Sequence, residues 1–288
     1  MTIQWFPGHM AKAKREVEEK LKLVDFVIEL VDARAPYSSQ NPMLHKVLNQ
    51  KTKMVLLMKR DLADDQITEK WVQWYEEQGI LAVPVHIEQT KDLQTVIQKA
   101  KELGNEKLQK LIRKGVRPRP ARAMILGIPN VGKSSLINRL AKKKIAKIGD
   151  KPGVTQKQQW IKVKNDFELL DTPGILWPKF EDEIVGYRLA VIGTIKDNIL
   201  PIADVAAFFI VFLQKNYPNV LEERYELSAS IEDMGEIFEH IGKKRGCLES
   251  GGRINFDKVA EVIIRDMRSG KLGDITLETP AMINEANE

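Results

Sequence analysis

Short apolar runs alternate with amphipathic stretches over the first part of the chain. Buried strands are predicted at residues 24–33, 53–58, 80–85, 121–127, 158–163 and 167–171. Helical periodicity between these runs predicts helices over 10–23, 66–78 and 91–113, and a further helix that begins near Lys133. Strands that alternate with helices are typical of an α/β domain with a mainly parallel sheet.

The pattern changes after residue 180, where the strand signals stop. The apolar run at 199–213 is interrupted by Pro201 and Asp204 and is too short to span a bilayer, so it predicts a buried helix. Residues 255–268 place six apolar side chains on one helical face, namely Phe256, Val259, Ala260, Ile263, Ile264 and Met267. We therefore predict an α/β domain over residues 1–180, a smaller all-α domain over 181–280 and a flexible tail over 281–288.

Composition narrows the class of protein. The chain has 288 residues, which is enough for two domains with separate cores. Its single cysteine, Cys247, excludes a disulfide framework or a cysteine zinc cluster within the chain, in keeping with a reducing cytosol. Residues 1–20 are charged and lack the apolar segment of a signal peptide. These features predict a cytoplasmic protein with no membrane partner.

Charge is distributed unevenly. The net charge is +5, but lysine and arginine are in excess over residues 1–180, whereas aspartate and glutamate are in excess over 181–288. Two stretches, 110–122 and 142–164, are strongly basic. Such a run is either a solvated face or a contact for a polyanion such as nucleic acid, and charge alone leaves both interpretations open.

A phosphate-binding loop is the most specific motif in the sequence. Gly127, Gly132, Lys133 and Ser134 match G-x-x-x-x-G-K-[ST], between a predicted strand and a predicted helix. Successive backbone N–H groups of such a loop surround nucleotide phosphates, and the lysine reaches the β- and γ-phosphates. The predicted phosphate contacts come from Asn130, Val131, Gly132, Lys133, Ser134 and Ser135.

Two short segments after the loop predict a magnesium site. The sequence "LLDTPG" at 169–174 ends a strand with Asp171, which is expected to hold Mg²⁺ through water, and Gly174 is expected to contact the γ-phosphate through its N–H. The Ser134 hydroxyl is a direct Mg²⁺ ligand in this scheme. In "KPGVT" at 151–155, Thr155 is the candidate second hydroxyl ligand, within a switch segment.

The base-reading residues are predicted before the phosphate loop, not after it. "VLLMKRDLAD" ends a strand and places Lys59 and Asp61 at the spacing of the Asn-Lys-x-Asp motif, with Met58 and Arg60 beside them. One carboxylate accepts both N1–H and the 2-amino group of guanine, and it would repel adenine. A GTPase is therefore favoured over an ATPase that acts on RNA, and nucleotide competition separates the two.

These motifs together resemble the YlqF family of ribosome biogenesis GTPases. The matching segments are "WFPGHMAKAKRE", "ELVDARAPYSSQNPM", "GIPNVGKSSLINRLA", "KPGVT", "LLDTPGILWPKFED" and "KRGCLESGG". The resemblance implies a circularly permuted P-loop GTPase domain, with motif order four-five-one-two-three, followed by a helical domain that binds ribosomal RNA. It also implies a monomer that uses GTP, GDP and Mg²⁺ in a late step of large-subunit maturation. The implied partners are the subunit precursor, its rRNA and ribosomal proteins.

The sequence departs from the family pattern in the base motifs. Met58 stands where an asparagine is usual, and a thioether cannot supply the amide hydrogen bonds. The fifth motif aligns best with "VHIEQTKD", so that His86 and Ile87 would contact the base through their backbone. Asn130 stands where related potassium-dependent GTPases place a K⁺ ligand, although an asparagine that tolerates a turn explains it equally well. "VDARAPYS" at 31–38 can be read as no more than a turn capped by Asp32.

The catalytic group has to be sought outside the usual position. Ile175 follows "DTPG", where Ras-type GTPases have the glutamine that orients the attacking water. The resemblance points to His9 of "WFPGHM", whose imidazole can orient water or accept its proton. A packing or RNA-contact role for His9 is the other interpretation. The alternative function is a GTP-gated ribosome-binding module with negligible hydrolysis.

Overall fold

A computed structural model describes most of the chain. The described residues are 15, 17–42, 48, 51–115, 117–143, 160–163, 166–172, 182–195, 197 and 199–287, with the backbone alone for 284–287. The chain divides into two compact units. One comprises residues 1–180 and 278–288, and the other comprises residues 181–277.

The first unit is built on a six-stranded sheet. Its strands are β1 (Phe26–Asp32), β2 (Lys53–Met58), β3 (Leu81–Val85), β4 (Ala121–Gly127), β5 (Trp160–Val163) and β6 (Phe167–Asp171). The spatial order is β3-β2-β1-β4-β6-β5. All neighbours are parallel except the edge strand β5, which runs antiparallel to β6. The predicted α/β class with a mainly parallel sheet is confirmed.

Helices cover this sheet, which explains the continuous apolar strands. The helices are α1 (Asp65–Glu77), α2 (Thr90–Ile112) and α3 (Lys133–Ala141), and residues 17–21 are also helical. Every residue of the central strand β1 is buried, as parallel strands covered on both faces require. The side chain of Asp64 caps α1 by accepting a hydrogen bond from Ile67 N.

The second unit is helical over its described residues. Its helices are α4 (Glu183–Val191), α5 (Ile202–Asn216), α6 (Pro218–Tyr225), α7 (Met234–Arg245) and α8 (Phe256–Arg268). Helix α5 is the predicted buried helix, and Phe209, Ile210 and Leu213 are fully buried. Helix α8 follows the predicted periodicity with one exception. Phe256 is 46% exposed, because it is the first helical residue and its ring meets Phe238 edge-on at the helix start.

The C-terminal segment differs from the predicted flexible tail. Residues 278–288 group with the first unit, and Pro280–Asn287 forms helix α9. Ile283 is 5% exposed and joins the core cluster around Trp71 and Tyr75. The segment has too few apolar positions to give a helical period, so its docking left no signal in the sequence. Within the described residues, every helix is too short or too polar to cross a bilayer.

Candidate functional site

The predicted motifs meet at one edge of the sheet, where the parallel strands end. Asp32, Met58 and Val85 lie side by side at the carboxyl ends of β1, β2 and β3. Gly127 ends β4 beside Leu30, and Asp171 ends β6 beside Ile125. Ligands of open parallel sheets bind at this edge. The base-reading and phosphate-binding motifs therefore share a site, although the loop 127–133 follows the base motif by about seventy positions.

The phosphate loop has the backbone that the motif requires. Asn130 and Gly132 have φ of 62° and 99°, in the left-handed region. A Cβ added to Gly127 would lie 2.9 Å from Val131 Cγ1, so only glycine fits there. Gly132 caps α3, and the first helical hydrogen bond runs from Leu136 N to Gly132 O. The amides of the first turn, which include those of Ser134 and Ser135, are thus available to an anion.

Lys133 and Asp171 form a buried ion pair at the centre of the site. Lys133 Nζ lies 2.7 Å from Asp171 Oδ1 and also donates to Thr172 O. The two side chains are 7% and 1% exposed. Burial lowers the pKa of Lys133, and the charge of Asp171 opposes that shift. The motif residues that bind phosphate and metal in the sequence interpretation are therefore brought into contact.

The second carboxylate oxygen of Asp171 provides the test for a metal site. Asp171 Oδ2 is buried and has no hydrogen-bond partner among the described residues. A buried charged oxygen without a partner is costly, and a metal-bound water would satisfy it. Ser134 is half-buried one position after Lys133 and carries a hydroxyl. Asp171 and Ser134 are both oxygen ligands, so they fit the preference of Mg²⁺.

Lys59 and Asp61 surround the end of β2 as predicted. Lys59 has a φ of 58°, and its Nζ lies 3.0 Å from Asp32 Oδ2. Asp61 follows in the short 3-10 turn Arg60–Leu62, and its side chain is 34% exposed, so a ligand can reach it. Burial raises the pKa of Asp32, but the charges of Arg34 and Lys59 outweigh burial and hold that pKa far below its ordinary value. Asp32 is therefore an anion that fixes Lys59.

The fifth-motif loop is held by a residue that sequence reasoning missed. Asp92 Oδ2 accepts hydrogen bonds from His86 N and from Arg60 Nε, both at 2.7 Å. His86 Nε2 lies 3.8 Å from Asp61 Oδ2, so the predicted fifth motif adjoins the aspartate that is predicted to read the base. Ile87 is half-buried in the same loop. The next residue, Glu88, forms an ion pair with Arg139 of the phosphate-loop helix α3. No spacing pattern in the sequence marks Asp92.

Met58 packs against the phosphate loop where an asparagine would hydrogen-bond to it. The side chain is 1% exposed, and its Cε would lie 3.5 Å from a Cβ added to Gly132. The thioether therefore fills the space between the base motif and the phosphate loop by van der Waals contact. It supplies no strong hydrogen bond to either.

Met58→Asn is expected to tighten GDP and GTP binding to the same extent. A hydrogen bond contributes about 0.5–1.5 kcal/mol net, or about two- to twelvefold in affinity. Both nucleotides gain because the base and loop contacts do not involve the γ-phosphate. Equilibrium binding of fluorescent GDP and GTP analogues measures the change. Met58→Leu, which keeps the apolar packing, is the matched control, and unchanged or weaker binding by folded Met58→Asn would contradict the expectation.

Of the remaining predicted residues, some have described positions and three lie outside the described residues. Val131 is a buried residue of the phosphate loop, and Asn130 occupies a left-handed turn position, as its turn role predicts. Arg34 N donates to Asp32 Oδ1 at 3.1 Å, which confirms that Asp32 caps the turn after β1. His9, Thr155 and Gly174 lie outside the described residues.

Comparison with known proteins identifies relatives over the whole chain. The family model described as "50S ribosome-binding GTPase" matches residues 122–240, which begin at β4 and leave the base-motif half outside. "Ribosome biogenesis GTPase A" of Bacillus cereus is 54% identical over 100% of this chain and 97% of its own length. The protein of the same name from Bacillus pumilus is 57% identical over 97% of this chain and 99% of its own.

Solved structures match the same architecture. A GDP-bound YlqF structure covers 93% of this chain and 100% of its own, with a TM-score of 0.66 and 27% identity. A GNP-bound YlqF from T. maritima covers 93% and 98%, with a TM-score of 0.68 and 26% identity. The permuted order of motifs is consistent with these neighbours.

Proposed function

The chain belongs to the ribosome biogenesis GTPase A family, and from this premise we propose that it drives a late step of large-subunit (50S) maturation. It is a GTPase with a role in ribosome assembly. In our proposal it binds rRNA of the immature subunit in the GTP state and leaves after hydrolysis. The description of the matching family model as ribosome-binding supports this partner.

The contact between Lys133 and Asp171 is the observation that supports the nucleotide-dependent part of the proposal. Lys133 and Asp171 neutralise each other's charge in a buried site. The β- and γ-phosphates of GTP would compete with Asp171 for Lys133, and Asp171 would help to hold Mg²⁺ through water. Ser134 and Thr155 would supply hydroxyl ligands to Mg²⁺, and the Gly174 N–H would contact the γ-phosphate. Mg²⁺, when bound, neutralises charge on the phosphate oxygens. Nucleotide and metal binding are therefore coupled through one ion pair.

The guanine base is assigned to the opposite side of the phosphate loop. Asp61 accepts from N1–H and the 2-amino group, while Lys59 is held by Asp32 beside the base. Backbone groups of His86 and Ile87 close the base pocket. We further assign Asn130 to K⁺ beside the phosphates. Its exposed, left-handed position at the loop tip is compatible with that role.

The partner is a polyanion in this scheme. The excess of lysine and arginine over residues 1–180 suits ribosomal RNA, and the helical unit supplies a second contact to RNA. We place the protein in the cytoplasm as a monomer, with the subunit precursor, its rRNA and adjoining ribosomal proteins as partners. Binding follows the nucleotide state because the γ-phosphate orders the switch segments.

His9→Ala is expected to preserve GTP binding and subunit binding but to lose most subunit-stimulated hydrolysis. The imidazole is proposed to orient the attacking water, a role that contributes about 10²–10⁴-fold. Single-turnover hydrolysis, measured with and without saturating subunit precursors, tests this role. His240→Ala is the matched control, because His240 lies on α7 and its ring contacts Tyr225 O. Stimulated turnover by His9→Ala at the wild-type rate would place the catalytic group elsewhere.

The same assay tests the function as a whole. A hydrolytic assembly factor should show a clear rise in the single-turnover rate when precursors are added. If the wild-type rate stays negligible with saturating precursors, the protein is a GTP-gated binding module instead.

A further inference from the structure

Glu278 is a buried carboxylate that none of the nucleotide motifs includes. Its side chain is fully buried, at 0% exposure. Oε1 accepts hydrogen bonds from Tyr37 N and, at 2.8 Å, from Ser38 N. Oε2 accepts from Ser38 Oγ at 2.6 Å, and the backbone oxygen accepts from Trp71 Nε1 at 3.0 Å. Burying a charge is costly unless such bonds compensate, so this geometry is specific.

These bonds fix the turn that follows β1, residues 33–41. Ser39 Oγ donates to Ala35 O at 2.6 Å and accepts from Asp32 N at 2.9 Å. Ser39 N also donates to Ala35 O at 3.0 Å. Glu278 holds Ser38, and the next residue, Ser39, accepts a hydrogen bond from Asp32 N. The turn thus links Glu278 to Asp32.

Asp32 transmits this constraint to the base motif. Its carboxylate accepts from Arg34 Nε at 2.9 Å and from the terminal guanidinium nitrogen at 2.8 Å, and it lies 3.0 Å from Lys59 Nζ. The backbone adds a direct link, because Ala33 N donates to Met58 O at 2.8 Å. Burial lowers the pKa of Arg34, but the charges of Asp32 and Asp61 outweigh burial and raise it. Asp61 follows Lys59 by two residues in the turn Arg60–Leu62, which is closed by the hydrogen bond from Leu62 N to Lys59 O at 3.0 Å, so the position of Lys59 sets that of Asp61.

We propose that Glu278 is a positioning residue for guanine recognition, acting through the 33–41 turn and Asp32 on Lys59 and Asp61. The inference rests on the proposed assignment of Lys59 and Asp61 to the base. It makes the C-terminal segment part of the nucleotide site, although the whole 181–277 unit separates that segment from the base motif in the chain.

Base discrimination is the readout that distinguishes positioning from folding. Inosine diphosphate lacks the 2-amino group that Asp61 accepts, so the ratio of IDP to GDP dissociation constants reports the placement of Asp61. A variant that merely unfolds in part weakens both nucleotides equally. A charged hydrogen bond, such as the one proposed from the 2-amino group to Asp61, contributes about ten- to a hundredfold in affinity. The wild-type IDP/GDP ratio of dissociation constants is expected to be of that size.

Glu278→Ala is expected to lower the IDP/GDP ratio by about tenfold, and Glu278→Gln to retain most of it. The glutamine carbonyl can still accept from Tyr37 N and Ser38 N, so rescue follows from the geometry. Ser38→Ala removes only the bond to Oε2 and should give a smaller decrease. It also provides a second measurement if Glu278→Ala does not fold.

Asp266→Asn is the matched control in the other unit. Asp266 is a carboxylate at 3% exposure, held by Arg224 Nε at 2.8 Å and Tyr225 Oη at 3.2 Å. Its replacement should lower the melting temperature without changing the IDP/GDP ratio.

The outcomes separate the inference from its premise. A wild-type IDP/GDP ratio in folded Glu278→Ala overturns the role of Glu278. If Glu278→Ala does not fold, a wild-type ratio in Ser38→Ala overturns it. Asp61→Asn is measured in parallel. If Asp61→Asn also leaves the ratio unchanged, the assignment of the base site fails first. If only Asp61→Asn lowers the ratio, the base site stands and the inference about Glu278 alone is wrong.

Discussion

Lys133→Ala is expected to abolish most GTP hydrolysis and to weaken nucleotide binding strongly. Removing one preorganised donor to a developing charge costs about 10²–10³ in turnover. Each lost charged hydrogen bond in the bound state costs a further 1.5–3 kcal/mol, roughly. The Lys133 side chain is 7% exposed, and its ammonium group lies against Asp171 and Thr172 O. Hydrolysis under single-turnover conditions, together with equilibrium GTP binding, measures both effects.

The variant has a second consequence for Asp171. Without the ammonium group, the Asp171 carboxylate loses its 2.7 Å partner in a buried position. Removing one member of a buried ion pair costs about 3–5 kcal/mol of stability, so the nucleotide-free variant should melt at a lower temperature. Lys142→Ala, at the exposed end of the same helix, is the control. Wild-type hydrolysis by Lys133→Ala would show that the loop does not bind the phosphates.

Asp61→Asn is expected to convert guanine preference toward xanthine. The carboxylate accepts from two donors on guanine, whereas the asparagine amide can donate to the 2-oxo group of xanthine. Loss of charged hydrogen bonds worth about 1.5–3 kcal/mol each should weaken GDP binding by at least tenfold. Competition of GDP and xanthosine diphosphate against a fluorescent nucleotide measures the change. The Asp61 side chain is 34% exposed, so the substitution should leave the fold intact.

Asp65→Asn provides the comparison for that experiment. Asp65 is exposed in the first turn of α1, four positions from Asp61. It should bind GDP as the wild-type protein does. Unchanged affinity and specificity of Asp61→Asn would mean that Asp61 does not contact the base and that the motif order is misassigned.

The fold was predictable to the extent that it depends on local patterns. Apolar runs located all six strands. The central parallel strands are covered on both faces and read as nearly continuous apolar runs, whereas the antiparallel edge strand β5 alternates exposed and buried residues. The motif order indicated the permutation. The period of apolar residues did not predict that Phe256 is exposed at the start of α8. It also did not predict α9, which packs through Ile283 on a core cluster that is distant in sequence. A single buried apolar residue produces no helical period in the sequence.

The site was predictable where one motif supplies both residue type and spacing. The phosphate loop, Asp171 and the Lys59–Asp61 pair follow from short patterns, and the structure places them at one sheet edge. Asp92 and Glu278 were not predictable. Both act by accepting backbone N–H groups that no motif spacing relates to them. Glu278 accepts from Tyr37 N, 241 positions away, and Asp92 accepts from His86 N in the preceding loop, six positions away. Only the folded backbone brings such donors and acceptors together.

Sedimentation with large-subunit precursors tests the central claim most directly. The protein is mixed with precursors in GDP or in a non-hydrolysable GTP analogue, at low and at high salt. We expect co-sedimentation with the analogue and little with GDP, and we expect it to weaken as salt rises, because phosphate contacts release counterions. Equal binding in the two nucleotides, or binding that salt does not change, would contradict a GTP-dependent assembly factor that docks on ribosomal RNA.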